Sequence, residues 1–139
     1  MEVDGNAPRA IHAVLEACST PPSMNATVMR QHWSRTRKIK NGWQRDLGWL
    51  LMAANLPRGL ISVHATATLR FPTSRRRDEG NFRWVLEKAL GDALVAGGWL
   101  DDDTPDKFRF GAVEFLPDRG PAWTQIRIEA LAMGSHGDE

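Results

Sequence analysis

An unbroken apolar stripe near the middle of the chain constrains the fold more than any other feature. Its positions recur at three- and four-residue spacings: Phe82, Val85, Leu86, Ala89, Leu90, Ala93 and Leu94. This spacing places them on one face of a helix, and Gly97-Gly98 predicts its end because helices often close with a left-handed residue. A stripe this continuous must be buried, so we expect the helix to pack against another layer of structure.

Alternating apolar and polar residues predict the strands of that layer. Residues 60–69 alternate most clearly, and residues 108–116 and 122–131 show the same pattern. The loop 117–121 carries two prolines and a glycine, which predicts a hairpin between the last two strands. Residues 9–18 are ambiguous, because their composition favours a helix while their alternation favours a strand.

A second helix is predicted to begin at Asn41-Gly42 and to stop before Pro57. Its apolar face consists of Trp43, Leu47, Leu50, Leu51 and Ala54. Residues 24–40 have no clean period and predict a long basic loop, a flexible arm that orders on a phosphate backbone.

These patterns predict a single α/β (α+β) domain over residues 9–131, with a mixed β-sheet packed by two main helices. A chain of 139 residues that is 42% hydrophobic is long enough to bury one core. Residues 1–8 and 132–139 are polar and are expected to be tails.

Several sequence features indicate the cellular compartment in which we expect the protein. No run of 18 apolar residues occurs, and the first residues lack the basic start and apolar run of a signal peptide. Cys18 is the only cysteine, and the four histidines lack a zinc-binding spacing. We therefore expect a cytoplasmic protein that binds neither a membrane nor a small-molecule cofactor.

Charge is distributed unevenly, although the net charge is only +1. Residues 27–77 contain eleven Lys or Arg and one acidic residue, Asp46, whereas the remainder contains 7 bases and 16 acids. This asymmetry favours a polyanion-binding face beside a separate acidic site, and Trp33 and Trp43 in the basic segment could stack on bases. The alternative is two solvated faces of opposite sign.

The striped helix is preceded by three arginines and followed by three aspartates. They form the arginine cluster (Arg75, Arg76 and Arg77) and the aspartate run (Asp101, Asp102 and Asp103). Carboxylates held close together bind Mg²⁺ or Mn²⁺, and a cationic approach path suits a phosphodiester substrate. The alternative is structural: Asp78 caps the helix, and the aspartate run forms a turn before Thr104-Pro105.

Four motifs occur in an order that resembles a known family. They are Pro-Pro-Ser at 21–23 with a nearby Asn, Arg-Arg-Arg-Asp-Glu-Gly-Asn at 75–81, Lys-Ala-Leu-Gly-Asp-Ala-Leu at 88–94 and Gly-Trp-Leu-Asp-Asp at 98–102. Together they resemble the RusA family of Holliday-junction resolvases over roughly residues 11–130. The resemblance implies a bacterial or phage-encoded homodimer of small mixed α/β subunits that nicks four-way DNA junctions with Mg²⁺. It also implies that residues 11–18 form a strand.

The resemblance implies roles for individual residues. Asp78 matches the family's first catalytic aspartate, Lys88 its essential lysine, and Asp102 the metal-binding member of its closing pair. Asp101 and Asp103 are further candidates within the aspartate run, because the match shifts by one residue when no gap is allowed. Glu79 could add a metal oxygen. The residues expected to contact DNA phosphates are the arginine cluster together with Arg35, Arg37, Lys38 and Lys40.

Two departures from the family pattern matter. Gly80 stands where the family has a second aspartate, and Asp92 is an alternative source of that oxygen. Four extra residues also separate Asn81 from Lys88, a shift of about 6 Å along a helix; Asn81, Lys88 and Asp92 lie along one polar edge of it. The first departure leaves open a catalytically weak protein that binds branched DNA. A third hypothesis is an RNA-binding α/β module in which the aspartates only form turns.

Overall fold

The computed structural model describes residues 7–25, 30 and 32–134. The elements of this part are β1 (Arg9–Ala17), α1 (Trp33–Ala53), β2 (Leu60–Arg70), α2 (Gly80–Ala96), β3 (Phe108–Phe115) and β4 (Trp123–Ala132). The strands form one sheet in the order β1-β4-β2-β3. A small α+β domain with a mixed sheet and two main helices is therefore confirmed. Most of both expected tails, and residues 26–29 and 31 of the expected basic loop, lie outside the described residues.

The sheet is mixed and is buried on one face. β4 pairs antiparallel with both β1 and β2, whereas β3 joins β2 in parallel. Val63 and Ala65 of β2 and Ile126 of β4 are at most 2% exposed, while the alternate residues His64 and Arg127 face solvent. The strand over residues 11–18 that the family resemblance implies is confirmed as β1, although the composition of this segment favours a helix.

The hairpin predicted at residues 117–121 is wrong. β3 and β4 lie on opposite sides of β2, so the loop between them crosses the end of that strand. Leu116 N–H donates to Leu69 O at 2.9 Å, and Gly120 N–H donates to Phe71 O at 3.1 Å. The reason is that α2 returns the chain parallel to β2, which gives β3 one edge of β2 and leaves the other edge to β4.

Helix α2 follows its prediction closely. Every residue of its apolar stripe is at most 4% exposed. The chain leaves the helix through Gly98, whose φ of 78° is the left-handed conformation that glycine adopts without strain. Trp99 N–H then donates to Leu94 O at 2.9 Å, which satisfies one of the last helical carbonyls.

Helix α1 begins at Trp33 rather than at Asn41, so the second half of the expected basic loop is helical. Its inner face continues towards the N-terminus through Thr36, which is fully buried, and Lys40, whose side chain is 13% exposed. Because both residues are polar, they do not extend the apolar period that begins at Trp43. Neither helix in the described part of the chain is long and apolar enough to cross a membrane.

Trp99 fixes the chain where α2 ends. Its indole is 2% exposed, its Nε1–H donates to Leu56 O at 2.8 Å, and the Arg58 guanidinium stacks 4.5 Å from the ring centroid. The ring also lies directly against the backbone of Gly97, where a Cβ would collide with it. The Trp99 ring therefore fills the space in which a Gly97 side chain would lie.

We predict that Gly97→Ala lowers the free energy of unfolding by about 1–3 kcal/mol, because the added methyl overpacks the Trp99 site. Gly48→Ala is the matched control: no atom lies within 4 Å of its Cβ position inside α1. That substitution should raise stability by roughly 0.5–1 kcal/mol. Urea denaturation followed by far-UV circular dichroism measures both. Equal effects of the two substitutions would contradict the packing described for Trp99.

Candidate nucleic-acid interface

Helices α1 and α2 run side by side in the same direction. The Trp33 and Trp84 rings contact near the start of both helices, with centroids 6.4 Å apart. Further along, Lys40 Nζ lies 2.7 Å from Asp92 Oδ2. The two N-termini therefore lie at one end of the domain, where their unpaired backbone N–H groups create partial positive charge.

The arginine cluster lies at this end, in front of α2. It lines a hollow of about 600 Å³ with Ser23, Asp78, Glu79, Asn81 and Phe82. The segment containing Ser23 is held there because Met24 is buried and its N–H donates to Asn81 O at 2.7 Å. The Pro-Pro-Ser motif and the arginine motif, which are far apart in sequence, thus line the same hollow.

The three arginines of the cluster differ in their environment. Arg77 is folded back: it donates to Thr73 O at 3.1 Å and to Thr73 Oγ1 at 2.8 Å, and its guanidinium stacks 3.8 Å from the centroid of Phe71. Arg75 and Arg76 are exposed and have no side-chain hydrogen bond or ion pair within the described residues. Arg77 therefore shapes the segment, and the other two are available to bind an anion.

The basic residues predicted on the loop before α1 lie on its first turns. Arg35, Arg37 and Lys38 are exposed, and none has an ion-pair partner in the part of the chain that the structure describes. Lys40 differs, because it is largely buried and also donates to Gln44 Oε1 at 2.9 Å. Of these four predicted phosphate-binding side chains, three are thus free to bind a ligand, and the fourth, Lys40, joins the two helices.

Asp92 is shared by two lysines. Lys40 Nζ lies 2.7 Å from Oδ2, and Lys88 Nζ lies 3.6 Å from Oδ1 one turn earlier on α2. Asp92 is 25% exposed and Lys88 is 51% exposed. The structure therefore brings Lys88 and Asp92 together on the predicted polar edge, whereas Asn81 lies about two turns before Lys88, at the start of the helix.

Asp78 and Glu79 immediately precede α2, and Glu79 is its N-cap residue. The Asp78 carboxylate accepts a long hydrogen bond of 3.4 Å from Gly80 N–H, and Asp78 O accepts from Asn81 N–H at 3.1 Å. Glu79 Oε2 accepts from Arg83 Nη2 at 2.5 Å, and Arg83 also donates to Phe110 O at 2.7 Å. Asp78 is thus exposed, and Glu79 is neutralised by a neighbour on its own helix.

The aspartate run lies beside the later half of α2. Asp102 Oδ1 accepts from Asp103 N–H at 2.8 Å, and Asp103 Oδ2 lies 3.2 Å from the position of a Cβ on Gly91. Asp103 also lines a hollow of about 390 Å³ that contains Lys88 and Arg109. Of the predicted catalytic groups, the structure thus brings Lys88 close to the aspartate run.

A hydrogen bond orders the loop after the aspartate run. The Thr104 hydroxyl donates to Asp106 Oδ1 at 2.5 Å, and this bond holds the pKa of the Asp106 carboxyl below its ordinary value. Backbone hydrogen bonding and the nearby charge of Lys107 act in the same direction, while partial desolvation opposes them. The charged form of Asp106 is therefore favoured in the folded loop.

Asp78 and Asp103 are too far apart in one chain to bind one metal ion. The eleven residues from Gly80 to Gly91 advance about 16 Å along the helix axis. Subtracting the 3.4 Å that links Asp78 Oδ1 to Gly80 N and the 3.2 Å that links Asp103 Oδ2 to the Cβ position of Gly91 leaves at least about 9 Å between these two oxygens. Two oxygens on one Mg²⁺ lie within about 4 Å of each other. Consistently, the described residues contain no group of three or more His, Cys, Asp or Glu side chains that could hold a metal ion.

Sequence reasoning missed two residues of this region. Trp84 lies one turn before Lys88, off the apolar stripe, and contacts Trp33. Arg83 links the start of α2 to β3 through Glu79 and Phe110. Trp84 could have been identified from the sequence, because it is a tryptophan on the polar side of an otherwise regular apolar stripe. No family model matches this chain, and no curated protein matches its sequence.

We predict that Asp92→Ala destabilises the protein by about 1–3 kcal/mol, because Lys40 is left largely buried without its carboxylate partner. Asp46→Ala is the matched control. It removes the Arg45–Asp46 pair, whose side chains are 70% and 62% exposed, and should change stability by less than about 0.5 kcal/mol. Chemical denaturation measures both variants. An unchanged midpoint for Asp92→Ala would show that the pair does not hold the helices together.

Proposed function

We propose that this protein binds branched DNA and is a RusA-like, structure-selective endodeoxyribonuclease that resolves four-way junctions in recombination and repair. The observation that carries the binding half of the proposal is the convergence of cations from two distant segments. Arg75 and Arg76 precede α2, and Arg35, Arg37 and Lys38 lie on the first turns of α1. Parallel packing of the helices brings both groups to one end of the domain.

Charge complementarity supports a nucleic acid as the ligand. Free guanidinium groups form bidentate contacts with phosphate oxygens, and helix N-termini favour anions. Two separate groups of cations match a ligand with charges at regular spacing better than they match one small anion. The resemblance of the motifs supports four-way junction DNA as the substrate. It also supports a protein encoded by a bacterium or a phage that acts in the bacterial cytoplasm.

Asp78, Lys88 and Asp102 are the proposed catalytic residues, and the enzymatic proposal includes a homodimer. Within one chain Asp78 Oδ1 and Asp103 Oδ2 do not fit a shared Mg²⁺ or Mn²⁺ ion. We therefore propose that Asp78 of one copy approaches the aspartate run of the other. A two-fold symmetric dimer also matches a substrate that needs two nicks.

A second candidate function is junction binding without cleavage. Two observations favour it: the separation of the carboxylates along α2, and Gly80, which offers no side-chain oxygen between Asp78 and Asn81. Binding alone needs only the cationic end of the domain. The two candidates are distinguished by nicking, and they share the DNA-binding surface.

We predict that replacing Arg75 and Arg76 together by Ala weakens junction binding and lowers the slope of log K against log salt by about 2, because two phosphate contacts are lost. Electrophoretic mobility shifts over a range of salt concentrations measure this slope. Arg9→Ala with Arg127→Ala is the control, since both are exposed arginines on strands away from the helix N-termini. An equal loss in the two double variants would contradict a localised interface.

We predict that the wild-type chain nicks a synthetic four-way junction when Mg²⁺ or Mn²⁺ is supplied. Asp78→Asn and Asp102→Asn should each abolish nicking and retain binding. Mixing the two variants should restore part of the activity, because half of the sites in a mixed dimer would contain both carboxylates. Tight binding without nicking by the wild-type chain would favour the second candidate. An inactive mixture beside an active wild type would place both carboxylates within one chain.

A further inference from the structure

Trp33 and Trp84 form a pair of aromatic rings on the outer surface of the two helices. Their centroids are 6.4 Å apart, their planes meet at 63°, and Trp33 is 53% exposed. Neither ring belongs to the hydrophobic core cluster, which contains Trp99 and borders Trp43. These two indoles thus contribute little to the packing of helices on the sheet, and one face of the pair is open to solvent.

Cations flank this aromatic pair. Arg37 is four residues after Trp33, and Lys88 is four residues after Trp84, so each lies one turn along the same helix face. Both are exposed. Of the nearby carboxylates, Glu87 lies 3.9 Å from Arg83, and Asp92 is held at 2.7 Å by Lys40 and lies 3.6 Å from Lys88. Arg37 has no ion-pair partner among the described residues, and Lys88 is 51% exposed. The surroundings of the pair are therefore charged rather than apolar, which disfavours an apolar protein helix as its occupant.

We infer that the Trp33–Trp84 pair stacks on an unpaired base of bound DNA while Arg37 and Lys88 neutralise the adjoining phosphates. The inference rests on the proposed DNA-binding function. An indole offers a flat apolar face on which any base can stack, and neighbouring cations bind the backbone of the same strand. Side chains one helical turn apart are about 5–6 Å from each other, comparable to the spacing of a base and its phosphate.

In this assignment two parts of one surface recognise different features of the DNA. Arg75 and Arg76 contact backbone phosphates, which every duplex presents. The aromatic pair recognises a base that is free of its partner, and a base inside an intact duplex is already stacked on its neighbours. Bases beside a flap are unpaired, and base pairs at a branch point can lose a stacking neighbour and open more readily than pairs inside a duplex. The aromatic pair thus gives the protein a preference for branched over continuous duplex DNA.

The test uses a four-way junction that carries unpaired 2-aminopurine at the branch point, with the full-length chain. Binding of the wild-type protein should change the 2-aminopurine emission, because stacking on an indole alters its fluorescence. Trp33→Ala should lose this change and weaken binding to the branched DNA by about 5- to 150-fold, while affinity for a continuous duplex of equal length stays the same. Trp33→Leu keeps apolar bulk without a π-face and should resemble Trp33→Ala, and Trp33→Phe should retain part of the signal.

Trp49→Ala is the matched control. Trp49 is the most exposed of the three tryptophans of α1, at 65%, and lies nearer the C-terminal end of that helix. It should leave the emission change intact. The inference is overturned if Trp33→Ala keeps the emission change, if Trp33→Leu binds like the wild type, or if duplex and branched DNA lose affinity equally. Those results leave arginine-dependent binding, and hence the proposed function, standing. A wild-type chain that binds no DNA overturns both.

Discussion

The parallel docking of α1 on α2 determines what this domain presents to a ligand. The contact between Trp33 and Trp84 and the ion pair between Lys40 and Asp92 define its direction and register. Withdrawing Lys40 and Asp92 from water is costly, so the pair adds less to stability than its short distance suggests. Its larger effect is geometric: the N-termini of both helices lie together, and cations separated by some forty residues of sequence form one surface.

The parts of the fold that the sequence predicted well are those where a single physical signal dominates. The apolar stripe of α2 has no polar interruption, and the alternation in β2 matches a sheet with one buried face. The start of α1 could not be predicted in this way, because Thr36 and Lys40 occupy inward positions and no apolar period marks them. The loop 117–121 signals a turn but carries no information on which strand its neighbours pair with.

The candidate site shows the same division. The cationic character of residues 27–77 is visible in the sequence, but its focus at one end of the domain depends on the direction of α1, which no local pattern encodes. The cations are distant in sequence and converge in space, whereas the carboxylates are closer in sequence and stay apart. Asp78 and the aspartate run bracket the sequence of one helix, and this proximity in sequence suggested a shared metal site. The aspartate run folds back along α2 only as far as Gly91, however, which lies about 16 Å along the rigid helix from Gly80, so Asp103 stays apart from Asp78.

The proposed binding and the proposed hydrolysis therefore have different structural requirements. The cationic end of the domain is complete within one chain, because it depends only on the packing of α1 against α2. Bringing Asp78 near Asp103 would need contacts between chains, since α2 cannot shorten without losing its buried stripe. Under the proposed function, binding to DNA would therefore follow from the fold of one chain, whereas cleavage would depend on protein concentration and on the geometry of assembly. A variant that prevents assembly would separate the two activities without touching either group of charged residues.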